Sequence, residues 1–141
     1  PTRRSSDLLF HEDRRIHVEE VVKPALEAGK IVVQDRSWPS TVAYQGERGL
    51  DRGMVEKAER RIAPDPDLLF VVDLPPDVAL ARIEATRGRA DDFEGGESLR
   101  RLRDVFLGFP GAIVLDGELP ADELVARACA RVREALAAKT V

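Results

Sequence analysis

Val32-Val33-Gln34-Asp35-Arg36-Ser37-Trp38-Pro39-Ser40-Thr41-Val42-Ala43-Tyr44-Gln45-Gly46 is the stretch on which the reading of this chain turns. An apolar run, Ile31-Val32-Val33, follows Gly29-Lys30 and stops at an Asp-Arg pair. Its shortness and β-branching read as a buried parallel strand rather than a piece of helix. Charges just past the carboxyl end of such a strand sit in the crevice where open α/β sheets bind ligands. Arg36 offers a planar fork of donors suited to phosphate. Asp35 offers an oxygen that can orient a hydroxyl, or a water held by Mg²⁺. A plain strand-end ion pair is the alternative for these two residues alone. The next residues weigh against it, because Ser40, Thr41 and Tyr44 fall on one turn-spaced track, as if a short helix presented hydroxyls beside the arginine.

Upstream, Leu8 to Ala28 reads as a helix. Val18, Val21, Val22, Ala25 and Leu26 recur at i, i+3, i+4, i+7 and i+8, which predicts one buried stripe. Pro24 is expected to kink or tighten the last turn, and Gly29 to stop it. Phe10 and Arg14 share a face at the other end, where a packing or cation–π pair is the plain reading. Downstream, residues 37–48 are expected as a short helix or turn. Residues 50–62 read as a charged surface helix with Leu50, Met54, Val55, Ala58 and Ile62 inward.

Pro64-Asp65-Pro66-Asp67 is a turn that cannot be helical. Residues 68–73 read as a second buried strand, with Asp73 capping its end or helping to organise a site. Pro75-Pro76 opens a helix to about Thr86. Arg87-Gly88-Arg89-Ala90-Asp91-Asp92-Phe93-Glu94 is either a solvated loop or a lid whose arginines meet phosphate oxygens. Residues 98–109 read as an amphipathic helix and 112–115 as a third strand, with Asp116-Gly117 after it. A helix from about 121 to 138 is expected to bury Val125, Ala128, Cys129, Val132 and Leu136. Helices and strands alternating in this way argue for an α/β fold, a parallel sheet with helices on both faces.

The composition, 141 residues with 43% hydrophobic and 34% charged, suits one soluble globular domain. A net charge of −4 makes no electrostatic case for nucleic acid or membrane. The single cysteine, Cys129, reads as a core residue of a reduced, cytoplasmic protein. No apolar run reaches transmembrane length, and no signal-peptide h-region is present. His11 and His17 are isolated and make no metal cluster.

Asp35-Arg36 with Ser40 and Ala43-Tyr44-Gln45-Gly46, after a Val-rich strand, resembles thymidylate kinase, a nucleoside-monophosphate kinase of the P-loop class. Leu9-Phe10, Arg14 and His17-Val18-Glu19 upstream resemble it too, as do Pro66-Asp67-Leu68 and Asp73 with Pro75-Pro76 downstream, so the likeness runs from about Leu8 to the C-terminus. It implies a P-loop NTPase-type three-layer fold and ATP-dependent phosphorylation of dTMP to dTDP with Mg²⁺. Phe10 would stack on the thymine base and Arg14 would hydrogen-bond its edge. Arg36 would bind the acceptor phosphate, and Asp35 would position the acceptor oxygen or Mg²⁺. Ser40, Thr41, Tyr44 and Gln45 would face the nucleotide, with Tyr44 near the sugar. Arg87 and Arg89 would close the lid, helped by Arg82, and Asp116 would lie near the adenine.

The likeness also implies a homodimer. Ser37 stands where the family has an aromatic residue, and Asp92 where it has an arginine. No G-x-x-x-x-G-K-[ST] loop occurs in these residues, so the chain reads as the acceptor-side and lid portion of a kinase. In that family the absent strand would lie mid-sheet, and its gap would favour poor solubility or non-native association. Residues 1–7 match the in-frame translation of a sequencing adapter and are expected to be a tail outside a partial kinase domain of residues 8–141. A kinase for a different base, or a non-catalytic nucleotide-binding module, is the alternative reading.

Overall fold

Prolines at 64 and 66 bar regular structure across the turn they frame, and the chain divides there into two compact units, Pro1–Asp65 and Pro66–Val141. The computed structural model describes residues 11–87 and 95–139, with the side chain of Arg87 outside that description. Phe10, Arg89 and the rest of the 88–94 stretch expected as a lid lie outside the described residues, as do residues 1–7, expected as a tail.

The first unit is helical. Helix α1 (residues 11–27) is interrupted by one π-turn, Val18–Val22, in which the Lys23 amide reaches back to the Val18 carbonyl. The turn directly precedes Pro24, which lacks an N–H and crowds the preceding turn, so the ladder shifts register rather than breaking. The buried stripe is narrower than the expected one. Val18 and Val22 are buried, while Val21 and Leu26 are exposed. Gly29 ends the helix at φ 71°, a conformation that suits glycine.

Helix α2 (Trp38–Glu47) starts from an extended Ser37 with Pro39 in its first turn, where a missing N–H costs nothing. It buries Trp38, Pro39, Val42 and Ala43. Helix α3 (Arg52–Glu59) is capped by the Asp51 carboxylate, which accepts from the Met54 amide at 2.8 Å. Its inward face differs from the periodic expectation. Leu50 lies before the helix, Ala58 is exposed and Met54 is 75% exposed, whereas Glu59 is 2% exposed.

The expected strand at 31–33 is not formed, and Val33 is 88% exposed. A strand is stabilised by the ladder along its edges, and among the described residues nothing pairs with this run.

The second unit holds a two-stranded parallel sheet, β1 (Leu69–Asp73) and β2 (Ala112–Asp116), in register from Leu69↔Ala112 to Asp73↔Asp116. Helices α4 (Pro76–Arg87) and α5 (Gly96–Leu107) pack together, and α5 covers both strands. Its core is Val71, Leu102, Phe109 and Leu115. Helix α6 (Ala121–Lys139) packs on β2, but its face is rotated from the expected one. Leu124, Ala128, Val132 and Ala135 are half-buried, while Val125, Cys129 and Leu136 are exposed. Cys129 is therefore not a core residue. The stripe at 124, 128, 132 and 135 is an equally good helical period of small and branched residues, and the sheet selects it.

Immediately after β2, Gly117 donates its amide to the Asp73 carbonyl at 2.7 Å. A Cβ there would stand 2.7 Å from that same oxygen and 2.8 Å from Leu74 Cγ. Backbone oxygen cannot move aside as a side chain would. Gly117→Ala should therefore destabilise the second unit by about 1–3 kcal/mol, read as a lowered urea midpoint at unchanged slope.

Candidate functional site

The first unit contains a cleft of about 440 Å³ lined by Asp13, Arg14, His17, Val33, Gln34, Asp35, Arg36 and Ser37. Three of the sequence-derived candidates, Arg14, Asp35 and Arg36, thus share one cavity. Helix α2 holds the two arginines through residues one turn apart. Thr41 Oγ1 accepts from Arg14 Nη1 at 2.6 Å, and the Tyr44 ring lies 5.5 Å beneath the Arg36 guanidinium. An aromatic face attracts a cation and fixes the fork's plane without consuming its donors.

Asp35 and Arg36 are both exposed, and among the described residues no ion pair joins them. Arg36 sits at φ 67°, the one non-glycine among the described residues in the left-handed region. A side chain there costs about 1–2 kcal/mol, so the bend that aims Arg36 is strained. Ser40 and Gln45 are half-buried on the same helix. Gln45 contributes its carbonyl to the amides of Arg48 and Leu50, each at 3.1 Å.

One member of this site does not emerge from the sequence pattern. Glu59, from the helix expected to be a mere surface element, turns its carboxylate inward. Oε1 meets His11 Nδ1 at 2.9 Å and Oε2 accepts from Arg14 Nη1. A charged residue reaches such burial only when paired. The run Glu56-Lys57-Ala58-Glu59-Arg60-Arg61 hides it, although its spacing four after Val55 and three before Ile62 places it on the half-buried face.

Trp38, directly after Ser37, is buried with the Arg60 guanidinium 4.3 Å over its ring. Arg60 is held there by Glu56 at 2.8 Å and by both oxygens of Asp65 at 2.5 Å.

In the second unit, Arg82 Nη1 donates to the Gly117 carbonyl at 2.9 Å, and Asp116 accepts from the Glu118 amide at 2.9 Å. These contacts organise the loop after β2. Asp73 takes a two-point grip from Arg103, Nε to Oδ1 at 2.7 Å and Nη2 to Oδ2 at 2.8 Å. That hydrogen-bonded fork holds the carboxyl below its ordinary 3.8. The folded value is lower than the unfolded one, so the pair stabilises fully above about pH 4–5 and loses its contribution as pH falls through the folded value. Asp73→Asn should accordingly flatten the acid limb of a stability-versus-pH curve below about pH 4, with little change in its slope at neutral pH.

Among the described residues no group of three or more His, Cys, Asp or Glu is placed to hold a metal, and no helix is long and apolar enough to cross a membrane.

A sequence model of the family described as thymidylate kinase matches residues 2–127. The chain belongs to the thymidylate kinase family. A thymidylate kinase of Xanthomonas campestris pv. campestris is 46% identical over 133 residues, 93% of this chain and 58% of the relative. One from Xanthomonas euvesicatoria pv. vesicatoria is 43% identical over 132 residues, 92% of this chain and 58% of the relative. A protein of Archaeoglobus fulgidus named probable thymidylate kinase is 38% identical over 118 residues, 82% of this chain and 60% of the relative. The chain therefore spans a little under two thirds of the length of the thymidylate kinases it matches.

Proposed function

We propose that this chain supplies the acceptor side of an ATP-dependent kinase that converts dTMP to dTDP. The observation that carries the reading is the convergence of Arg14, Asp35 and Arg36 on one cleft, in a chain of this family. Arg36 binds the 5′-phosphate of dTMP, its fork matched to two phosphate oxygens. Arg14 donates to the base edge, and Phe10 stacks on the ring. Ser40, Thr41, Tyr44 and Gln45 line the nucleoside, with Tyr44 crowding a 2′-hydroxyl.

An acceptor oxygen of the bound phosphate then attacks the γ-phosphorus of ATP, and ADP leaves. Phosphoryl transfer of this kind is positioning and electrostatics, so no covalent nucleophile is needed. Arg87 and Arg89 are assigned to the lid, where their charge would meet the transferring group, and Arg82 and Asp116 to the donor side.

Mg²⁺ keeps most of its waters and binds through one or two carboxylates plus substrate phosphates. A single exposed Asp35 beside Arg36 fits that pattern. The ion would supply charge neutralisation between the phosphates. We assign residues 8–141 to one kinase domain of P-loop NTPase type, a three-layer parallel sheet in the intact protein, with residues 1–7 as a tail. The protein would work in the cytoplasm as a homodimer.

The test is a steady-state assay of the full-length gene product with ATP and Mg²⁺ against dTMP, dUMP, dCMP and dGMP. dTMP should have the highest kcat/KM. A clear preference for another monophosphate would replace this assignment with a kinase of different base specificity.

A further inference from the structure

Arg14 and Arg36 line the same cleft but are not electrically alike. A guanidinium carries five N–H donors, two of them on Nη1. On Arg14, Nη1 serves both Thr41 Oγ1 and Glu59 Oε2. Among the described residues the three donors on Nε and Nη2 have no partner, and the positive charge is matched by a carboxylate whose side chain is only 3% exposed. Glu59 is itself pinned from the other side by His11. Arg36 lies over the Tyr44 ring and, among the described residues, against no carboxylate. A phosphate approaching Arg14 would meet the field of Glu59 as well, and the two would largely cancel. Arg36 keeps its charge available to the cleft.

We propose that Glu59 is a positioning residue that sets the polarity of the cleft. It neutralises Arg14, fixes the Nε and Nη2 edge toward neutral base oxygens, and so directs the phosphate group to Arg36. This rests on the dTMP reading and specifies which arginine takes which end of the nucleotide, and why.

The test uses this chain, with inorganic phosphate followed by phosphorus NMR and dTMP and dCMP titrated by calorimetry. Arg36→Gln should weaken phosphate binding at least about tenfold, because the neutralised Arg14 offers no second seat. The double variant R36Q/E59Q should regain phosphate binding to within about threefold of the native chain, as Arg14 is unmasked. Glu59→Gln alone should cut the preference for dTMP over dCMP by about tenfold, since cytosine presents a donor where thymine presents an acceptor. A lesion that merely loosens the fold would lower every affinity together and could not restore one.

Phosphate binding retained in R36Q, or no recovery in folded R36Q/E59Q, would overturn the proposal. Should circular dichroism show the Glu59 variants unfolded, R36Q against R14Q/R36Q decides it: a neutralised Arg14 predicts equal phosphate affinity in the two, and a clear further loss in R14Q/R36Q would overturn the proposal. A native chain that binds phosphate but shows no preference for dTMP would sink the dTMP reading instead.

Discussion

Arg36→Ala and Arg36→Gly should bind dTMP equally poorly, by roughly tenfold to a hundredfold, yet the glycine variant should be the more stable of the two. The binding loss would follow from removing the two-point, charge-assisted grip on phosphate proposed for Arg36, worth about 1.5–3 kcal/mol. The stability difference follows from φ 67° at this position. Alanine keeps a Cβ in the left-handed region and glycine does not, a difference of about 1 kcal/mol in favour of glycine. Calorimetric titration with dTMP and urea melts of both variants would measure the two effects separately. Affinity of the alanine variant within about threefold of the native chain would remove Arg36 as the phosphate seat.

Glu59→Ala should have the largest effect on folding, about 3 kcal/mol. Removing one member of a buried ion pair leaves the other uncompensated, which costs more than the pair was worth. Arg14 retains 18% side-chain exposure, so some solvent relief is available and the low end of the usual range applies. Glu59→Gln should cost much less, because its carbonyl oxygen still accepts from Arg14. Replacing both partners, as in R14M/E59M, should recover most of the alanine loss, since no orphaned charge remains. Urea unfolding followed by circular dichroism separates these cases. A loss under about 1 kcal/mol for Glu59→Ala would mean that the pair is incidental to the fold.

The second unit is largely legible from its residues. The proline-framed turn, both strands and all three helices fall within about two residues of the pattern-based expectation, because each is specified by signals inside its own segment. The features that escape such a reading depend on partners. Val32 and Val33 satisfy every local rule for a strand, but strandedness is a property of a ladder, and none among the described residues reaches them.

The rotation of α6 is of the same kind. Two stripes on that helix are available, and only the sheet decides between them. Val21 and Leu26 stand at the edges of the expected stripe and stay exposed, because periodicity names a face but not how much of it a neighbour covers. In the site, Arg14, Asp35 and Arg36 can be picked out by motif. Glu59 cannot, since a carboxylate in a charged run looks solvated until the tertiary fold supplies its arginine.

The one tryptophan and the one tyrosine of this chain, Trp38 and Tyr44, both belong to the first unit. Intrinsic fluorescence excited near the indole band therefore reports on that unit alone, while the phenylalanine-bearing sheet unit stays optically dark. Trp38 is buried against a guanidinium, so its emission should shift red only when the Arg60 clamp opens. Emission and far-ultraviolet dichroism recorded on the same sample would show whether the two halves melt together or in turn.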